Sequence, residues 1–276
     1  MRTTGHFAEL RTIRKSMEGD FGLVPTMGAL HAGHASLVAR AKSECEYVGV
    51  SIFVNPAQFA SGEDLEKYPR TIQQDLTLLE SLGVDVVWVP TVESIYPPGF
   101  QTWITVDELS LPLEGICRPG HFRGMTTIVA KLLNSFMPDR AYFGQKDAQQ
   151  AAVIKRMVMD LHFSVEIVVC PTVREQDGLA ISSRNAYLDH AERAAATVLY
   201  RALSAAKEKY AEGERDAESL LAVMRGVIAS EPLAREEYAA AVDPETFCAI
   251  KQVERHVLLL LAAHIGKTRL IDNMLL

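Results

Sequence analysis

The chain has 276 residues, 48% of them hydrophobic and 23% charged, which is the balance of an ordinary globular protein and excludes disorder as the main state. At roughly 100–200 residues per domain, this length suits one large domain or two modest ones. Its 28 Lys and Arg against 35 Asp and Glu give a formal net charge of −7, so we predict no nucleic-acid partner, because such binding uses long-range attraction to phosphate. A local basic pocket for one small polyphosphate is compatible with this charge.

The first two-thirds of the chain alternate short apolar runs with amphipathic stretches. Runs rich in β-branched or aromatic residues predict five strands, at 21–25, 47–54, 84–89, 140–143 and 165–170. Apolar residues at helical spacing predict four helices, over 34–47, 72–82, 123–136 and 147–161. This alternation predicts an α/β, Rossmann-like doubly wound fold, with a mainly parallel sheet and helices on both faces.

The pattern changes after residue 170. A polar, loop-like stretch is followed by two predicted helices at about 189–212 and 216–230. Strand-like runs at 237–242 and 256–263 come next, with a short helix expected between them after Asp243-Pro244. Because this tail is too short for another doubly wound sheet, we predict a Rossmann-like domain over 1–174 and a smaller α+β domain over 175–276.

The N-terminal segment and the cysteines favour a cytoplasmic location. The first 20 residues contain no apolar stretch of the kind found in secretory signals. Even the longest apolar runs, such as Val257–Ala263, are far below the ~20 residues needed to span a bilayer, so we predict no membrane association. The four scattered cysteines show no CxxC pair and no zinc-ligand spacing, which suits reduced thiols.

Two histidines follow the first predicted strand. Residues 24–34 read VPTMGALHAGH, with His31 and His34 on either side of Gly33. Ligands of doubly wound folds bind at the carboxyl ends of strands, where a glycine-rich turn and a helix N-terminus suit phosphate. The pattern resembles the HxGH motif of nucleotidylyltransferases and class I aminoacyl-tRNA synthetases, which react at a nucleotide α-phosphate. The alternative is a polar, exposed histidine pair at a helix start.

A second strand–turn–helix segment, AYFGQKDAQQ, covers residues 141–150. Gly144 allows an unusual backbone conformation, and Lys146 can place a mobile charge on a phosphate. Asp147 can cap the helix or bind a ribose hydroxyl or Mg²⁺. Gln149 and Gln150 can hydrogen-bond a hydroxyl or a carboxylate. The alternative is a solvated helix start with Asp147 as an ordinary cap.

A third segment, VREQDGLAISSRN at 173–185, lies at the predicted domain junction. Ser182 and Ser183 offer hydroxyl groups, and Arg184 offers a planar fork for phosphate oxygens. In position the segment corresponds to the KMSKS loop of class I synthetases, but the lysines are absent, so Arg184 would supply the charge. The alternative is an interdomain turn with serine N-caps.

Together these segments resemble the family of pantoate–β-alanine ligases (pantothenate synthetases), in the HxGH nucleotidylyltransferase-like superfamily. The matching stretches, in the family's order, are PTMGALHAGH (25–34), FVNPAQF (53–59), EDLEKYPRT (63–71), RPGHFRGM (118–125), KLLNSFMPDRAYFGQKDAQQ (131–150) and VREQDGLAISSRNAYL (173–188). The C-terminal third fits by length and by YAAAVDPETF at 238–247. Ile181 departs from the methionine that is common in the family, although both are apolar and similar in volume.

The resemblance implies an enzyme that condenses pantoate with β-alanine to pantothenate, using ATP and releasing AMP and pyrophosphate through a pantoyl-adenylate intermediate. It implies ATP and Mg²⁺ as cofactors, small-molecule substrates as partners and a homodimer. The first domain would bind nucleotide and pantoate, and the second would act as a lid.

The resemblance also implies roles for individual residues. His34 would be a proton donor beside His31, and Lys146 and Arg184 would supply positive charge as the other catalytic residues. The expected ATP-binding residues occupy the three turns and are Met27, Gly28, Ala29, Leu30, His31, Ala32, Gly33, His34, Gly144, Gln145, Lys146, Asp147, Val173, Ile181, Ser182, Ser183 and Arg184. The expected substrate-binding residues are Gln58, Gln150, Asn55, Arg118 and His121. The Mg²⁺ ligands are not predicted.

Other functions fit parts of the pattern. A generic nucleotidylyltransferase shares HxGH but needs neither FVNPAQF nor the glutamine pair, and its product carries a nucleotide. A nucleotide-sensing module would bind ATP without releasing pyrophosphate in the presence of pantoate. A tRNA synthetase is disfavoured by the chain's size, the missing lysines and the lack of a basic anticodon-binding module.

Overall fold

A computed structural model describes residues 1–60 and 62–276, which form two compact units. The first unit comprises Met1–Gly144 and Gln149–Pro171, and the second comprises Gln145–Ala148 and Thr172–Leu276. The functional roles predicted for domains 1–174 and 175–276 stay predictions. Among the described residues, no helix is both long enough and apolar enough to cross a bilayer. Within residues 1–60 and 62–276, the four cysteines form no disulfide.

The first unit is built on a six-stranded, wholly parallel sheet. Its strands are β1 (Arg2–Thr4), β2 (Phe21–Thr26), β3 (Tyr47–Ile52), β4 (Val86–Trp88), β5 (Arg140–Gly144) and β6 (Glu166–Cys170). They lie in the order β1-β4-β3-β2-β5-β6, so the five predicted strands are confirmed and the short, polar β1 is an addition. The chain adds strands first on one side of β2 and then on the other. The turn after β2 therefore lies at the topological switch point, where ligands of such sheets bind.

Helices cover both faces of this sheet, as predicted. They are α1 (Phe7–Lys15), α2 (Ala32–Glu44), α3 (Ile72–Ser81), α4 (Val92–Ile95), α5 (Glu114–Cys117), α6 (His121–Phe136) and α7 (Ala148–Asp160). Alternate strand residues enter different cores: Phe143 packs with α1, α6 and α7, whereas Tyr142 packs with α2 and α3. The sequence pattern missed α1, α4 and α5, and it placed the start of α2 two residues late.

The second unit is a smaller α+β structure. It contains α8 (His190–Ala195), α9 (Val198–Ala211) and α10 (Ala217–Ala229), with an antiparallel sheet of β7 (Ala234–Val242), β8 (Leu258–Ile265) and β9 (Thr268–Leu275). The α+β prediction is confirmed. The helices pack on the sheet through a separate hydrophobic core, to which Leu199, Met224 and Leu259 contribute.

Three details of the second unit differ from the sequence predictions. The single helix predicted over 189–212 is divided, because the Thr197 hydroxyl donates to the carbonyl of Ala194 at 2.8 Å and competes with the helical pattern. The helix expected after Pro244 is a turn, because Asp243 Oδ1 accepts the N–H groups of Glu245 and Thr246. Strand β9 was not predicted at all.

Candidate active site

The turn between β2 and α2 brings His31 and His34 together. Gly28 and Ala29 have left-handed φ values of +82° and +49°, so the chain reverses within a few residues. His31 is the N-cap of α2, and its Nδ1 accepts the N–H of Gly33 at 3.1 Å. His34 Nδ1 accepts the N–H of His31 at 3.4 Å, and the two ring centroids are 4.1 Å apart.

These hydrogen bonds determine which ring nitrogen carries the proton. A nitrogen that accepts an N–H bond has no proton of its own, so Nδ1 of each neutral imidazole is the acceptor and Nε2 is the donor. Both Nε2–H donors thus lie at the N-terminal end of α2, where the helix dipole also favours negative charge. A Cβ on residue 33 would lie 2.9 Å from Cε1 of His31, so the absence of a side chain at Gly33 leaves room for the His31 ring.

Residues 27–34, which join β2 to α2, are called the histidine turn below. Asp75 on α3 holds the backbone of the histidine turn. Its Oδ2 accepts the N–H of Ala29 at 3.0 Å, and its Oδ1 accepts the N–H of Leu30 at 2.9 Å and the hydroxyl of Thr71 at 3.1 Å. The residue is 3% exposed, so these three donors compensate a buried carboxylate. Sequence reasoning missed Asp75, because an acid in the first turn of a helix is ordinary. Asp75 therefore occupies two backbone N–H groups of the turn, and these two groups are not available to an anion while the bonds are made.

Asn55, in the segment after β3, is saturated by protein partners. It donates its two Nδ2 hydrogens to Gln58 Oε1 and to the carbonyl of Gly124, each at 3.1 Å. Its Oδ1 accepts the N–H of Ala57 at 3.3 Å and the hydroxyl of Tyr96 at 2.8 Å. Burial raises the pKa of Tyr96 to about 12, so that hydroxyl keeps its proton. The backbone partners fix the orientation of the Asn55 amide, which in turn fixes that of Gln58.

The side-chain amide of Gln58 is a hydrogen-bond donor. Because Oε1 accepts from Asn55, Nε2 points toward the thioether Sδ of Met27 at 3.0 Å. A thioether is a weak acceptor, and a ligand oxygen is a better partner for this amide. The structure therefore brings FVNPAQF next to the residue that opens the histidine turn. A Cβ at Gly124 would overlap the carbonyl of Ala57, so a glycine lets α6 pack closely against this segment.

Arg118 and His121 lie at the backbone carbonyl of Gln58. His121 Nδ1 donates to that carbonyl at 2.8 Å, and Arg118 Nη2 donates to it at 3.3 Å. Arg118 also forms a bidentate pair with Glu63, with both bonds at 2.9 Å. Burial and then the charge of Arg118 lower the pKa of His121 to about 4, so the imidazole is neutral and its Nε2 accepts from Arg118. In this structure both side chains hold the segment that carries Gln58.

The two glutamines at the start of α7 have different environments. Gln149 is buried, its Oε1 accepts the N–H of Glu114 at 3.1 Å, and its Nε2 donates to the carbonyls of Leu109 and Pro112. It therefore braces the 109–114 segment. Gln150 is only partly buried, and its side chain makes no hydrogen bond within the described ranges 1–60 and 62–276. Of this pair, Gln150 is the one with a side-chain amide available to a ligand.

In the second unit, the Gln145–Asp147 segment forms one 3-10 turn that is held by Asn273 of β9. Asn273 Nδ2 donates to the carbonyls of Gln145 and Lys146, both at 2.9 Å, and its Oδ1 accepts from Gln145 Nε2 at 3.1 Å. Lys146 Nζ lies 3.8 Å from Asp147 Oδ1. The lysine is thus anchored through its backbone, while its ammonium group makes a long ionic contact to a neighbour in the same turn.

The 173–184 segment is a narrow loop within the second unit. The N–H of Ile181 donates to the carbonyl of Val173 at 3.0 Å. The serine N-cap is present, because Ser182 Oγ accepts the N–H of Arg184 at 3.3 Å at the start of a 3-10 turn, Ser183–Tyr187. A serine N-cap of the kind expected by the alternative for this segment is therefore present.

One small pocket is lined by both of these second-unit segments. Its lining residues are Lys146, Leu179, Ala180, Ser182, Asn185, Leu199, Leu270, Ile271 and Asp272. Asn185 Nδ2 donates to the carbonyl of Ala180 at 3.0 Å, while its buried Oδ1 lacks a hydrogen-bond partner among the described residues. The structure thus places a cation, a hydroxyl and an amide acceptor around one cavity. No cluster of three or more His, Cys, Asp or Glu side chains suited to a metal occurs in residues 1–60 and 62–276.

Comparisons with known proteins agree along the whole chain. The family model described as Pantoate-beta-alanine ligase matches residues 2–275. The pantothenate synthetase of Roseiflexus sp. (strain RS-1) is 55% identical over 276 residues, which are 100% of this chain and 99% of that protein. The crystal structure of pantothenate synthetase from Thermus thermophilus is 46% identical, covers 99% of each chain and has a TM-score of 0.95. Pantoate-beta-alanine ligase from Francisella tularensis, complexed with beta-gamma ATP and beta-alanine, is 38% identical over 100% of this chain and 97% of that one, with a TM-score of 0.82. The chain is therefore a ligase and belongs to the pantoate-beta-alanine ligase family, whose reaction forms pantothenate.

Proposed function

We propose that this ligase forms pantothenate in two steps that use ATP, through a pantoyl-adenylate. The observation that carries the proposal is the histidine turn, with its paired Nε2–H donors at the N-terminus of α2 and the Gln58 amide beside Met27. The Francisella relative is complexed with beta-gamma ATP and beta-alanine, which supports the same ligands here. Adenylation is needed because the oxide of a free carboxylate is a poor leaving group.

In the first step, a carboxylate oxygen of pantoate attacks the α-phosphorus of ATP. The bond from this phosphorus to the bridging oxygen breaks, and pyrophosphate leaves with the electron pair. Negative charge builds up on the α-phosphoryl oxygens, and His31 and His34 donate hydrogen bonds to these oxygens through Nε2–H. His34 acts as the proton donor in this sense, and keeps its proton. Lys146 and Arg184 contribute positive charge that offsets the repulsion between two anions. One well-placed donor of this kind commonly contributes ~10²–10³-fold in rate.

In the second step, the amine of β-alanine attacks the acyl carbon of the adenylate. An amide bond forms, the bond between the acyl carbon and the AMP oxygen breaks, AMP leaves with the electron pair, and the nitrogen releases a proton to water. Gln58 binds pantoate first and β-alanine later, and its donor orientation suits their carboxylate and hydroxyl oxygens. Gln150 holds pantoate with an amide that the described residues leave unbonded. Asn55, Arg118 and His121 assist by holding Gln58.

The nucleotide contacts are proposed at the three turns. Met27–His34 and Gly144–Asp147 contact the phosphates and ribose, and Val173 with Ile181–Arg184 contacts adenine and phosphates. Mg²⁺ would accompany ATP. Since it usually keeps several waters and takes one or two carboxylates plus substrate phosphates, the described chain needs no three-ligand cage, and the half-exposed Asp147 fits the carboxylate role. When bound, Mg²⁺ would neutralise phosphate charge.

The remaining proposals concern the assembly and its location. We propose a cytoplasmic homodimer that acts on small molecules alone, with residues 1–174 binding nucleotide and pantoate and residues 175–276 serving as a lid. The homodimer, the substrates and the lid follow from the family resemblance, and the cytoplasmic location follows from the scattered cysteines. Size-exclusion chromatography with light scattering measures the oligomeric state directly.

ATP–pyrophosphate exchange, with pantoate added and then withheld, tests the proposed reaction. We expect exchange only with pantoate, and we expect AMP plus an amide once β-alanine is supplied. ATP–pyrophosphate exchange at the same rate with and without pantoate would refute the adenylate mechanism. A nucleotide-linked product would instead indicate a nucleotidylyltransferase, and ATP binding without pyrophosphate release would indicate a sensing module.

A further inference from the structure

Strand β9 contains two adjacent buried polar residues to which the proposed reaction assigns no role. Asp272 and Asn273 are 3% and 4% exposed. Burying such groups is unfavourable unless they are hydrogen-bonded, and their partners here belong to the two second-unit segments proposed to bind nucleotide. We propose that Asn273 is a positioning residue for Lys146, and that Asp272 secures the neighbouring 173–184 segment. The inference rests on the proposed role of Lys146.

Asn273 controls the backbone on both sides of the lysine. The carbonyls of Gln145 and Lys146 belong to the two peptide planes that flank the Cα of Lys146, and Asn273 Nδ2 donates to both at 2.9 Å. Because each peptide unit is planar, holding both planes fixes φ and ψ of Lys146. The Cα–Cβ direction of the lysine, and hence the region that its ammonium can reach, is set by one side-chain amide.

The orientation of this amide is itself determined. Asn273 Oδ1 accepts from Gln145 Nε2 at 3.1 Å, while the two carbonyls can only accept, so Nδ2 must face them. The backbone N–H of Asn273 donates to Asp272 Oδ1 at 2.8 Å. The amide is therefore part of a connected network, in which replacement of its donors leaves two carbonyls without their partner.

Asp272 holds the neighbouring 173–184 segment through Arg174. Its two oxygens form a bidentate pair with Arg174, at 2.6 and 2.9 Å, and Arg174 also donates to the carbonyl of Gly178 at 3.0 Å. Asp272 lines the pocket that Lys146 and Ser182 also line. Two adjacent residues of one strand thus hold both segments that contribute charge and hydroxyl groups to that pocket.

A double-mutant cycle tests whether Asn273 acts through Lys146. Lys146→Ala, Asn273→Ala and the double variant are compared in pantoate-dependent ATP–pyrophosphate exchange at saturating ATP. We expect a loss of ~10²–10³-fold for Lys146→Ala and of ~10–10²-fold for Asn273→Ala, because small misplacements of a positioned group are costly. The double variant should lose no more than Lys146→Ala alone, since residues that act together are not additive.

Losses that multiply in the double variant would overturn the inference, because they would show that Asn273 acts independently of Lys146. An unchanged rate for Lys146→Ala would instead refute the proposed role of Lys146, and the inference with it. Melting temperatures are recorded for every variant. Asn273→Ser, which keeps one hydroxyl donor, replaces Asn273→Ala in the cycle if that variant fails to fold. Thr268→Val, a buried polar change at the other end of β9, should leave exchange unchanged; an equal loss there would also overturn the inference.

Discussion

Replacement of Asp75 by asparagine should loosen the histidine turn without changing the size of the side chain. In the native chain Oδ1 accepts from Leu30 and Thr71, while Oδ2 accepts from Ala29. An asparagine that keeps its oxygen in the Oδ1 position turns an NH₂ group toward the N–H of Ala29. One bond to a charged acceptor is lost, and one N–H remains without a partner.

The expected cost follows from these bonds. A hydrogen bond to a charged group contributes about 1.5–3 kcal/mol, and a buried donor without a partner carries its full desolvation penalty, so we expect the free energy of unfolding to fall by about 2–3 kcal/mol. The lost bond is also the one that restrains Ala29 at φ +49°, a conformation that non-glycine residues avoid by roughly 1–2 kcal/mol. Relaxation of this residue moves His31 and His34, and we expect pantoate-dependent exchange to fall by between about tenfold and 10²-fold.

Urea unfolding gives the stability change, and ATP–pyrophosphate exchange gives the catalytic one. Asp85→Asn is a matched control, because Asp85 Oδ2 also accepts a backbone N–H, that of Val48 at 2.8 Å, and pairs with Lys42 at 3.1 Å. Asp85 precedes β4 and so lies at the opposite end of the parallel sheet from the histidine turn. The Asp85→Asn variant should therefore be less stable than the native chain but keep the native rate of ATP–pyrophosphate exchange. If Asp75→Asn keeps the native exchange rate and the native midpoint of urea unfolding, the reasoning is refuted. If both variants lose the same fraction of exchange activity, the loss in Asp75→Asn reflects general instability.

Three further predictions concern the same unit. His34→Ala should slow adenylate formation by at least ~10²-fold with the fold intact, because one Nε2–H donor is lost; a normal single-turnover rate would contradict its assignment. Gln58→Ala should raise KM for pantoate much more than KM for ATP in steady-state assays, and an equal rise in both would argue against its substrate role. For His121, burial lowers the pKa from 6.5 to about 4, so its neutral form stabilises the fold above pH 6.5, and this contribution of about 3 kcal/mol is lost as the pH falls from 6.5 through 4. Urea titrations across that range should show a weaker pH dependence for His121→Asn, which keeps a donor for the Gln58 carbonyl; an identical slope would contradict it.

The architecture was largely readable from the sequence, because its signals are local. Short runs rich in β-branched or aromatic residues predicted five of the six parallel strands, and helical spacing predicted the four longest helices of the first unit. Strand–turn–helix order also placed the histidine pair correctly after β2. Two of the errors occurred where a side chain competes with the backbone, as Thr197 does between α8 and α9, and where Asp243 organises a turn. The pattern also missed the elements β1, β9, α1, α4 and α5.

The contacts that shape the candidate site were decided by tertiary structure. Asp75 lies 46 residues from the N–H of Ala29, and Asn273 lies 128 residues from the carbonyl of Gln145. The sequence identified the residues that carry chemistry, since a short motif at a strand end contains both its donors and its turn. It could not identify the residues that hold them, because a buried Asp or Asn looks like any turn or cap residue until folding shows which distant backbone groups it must satisfy.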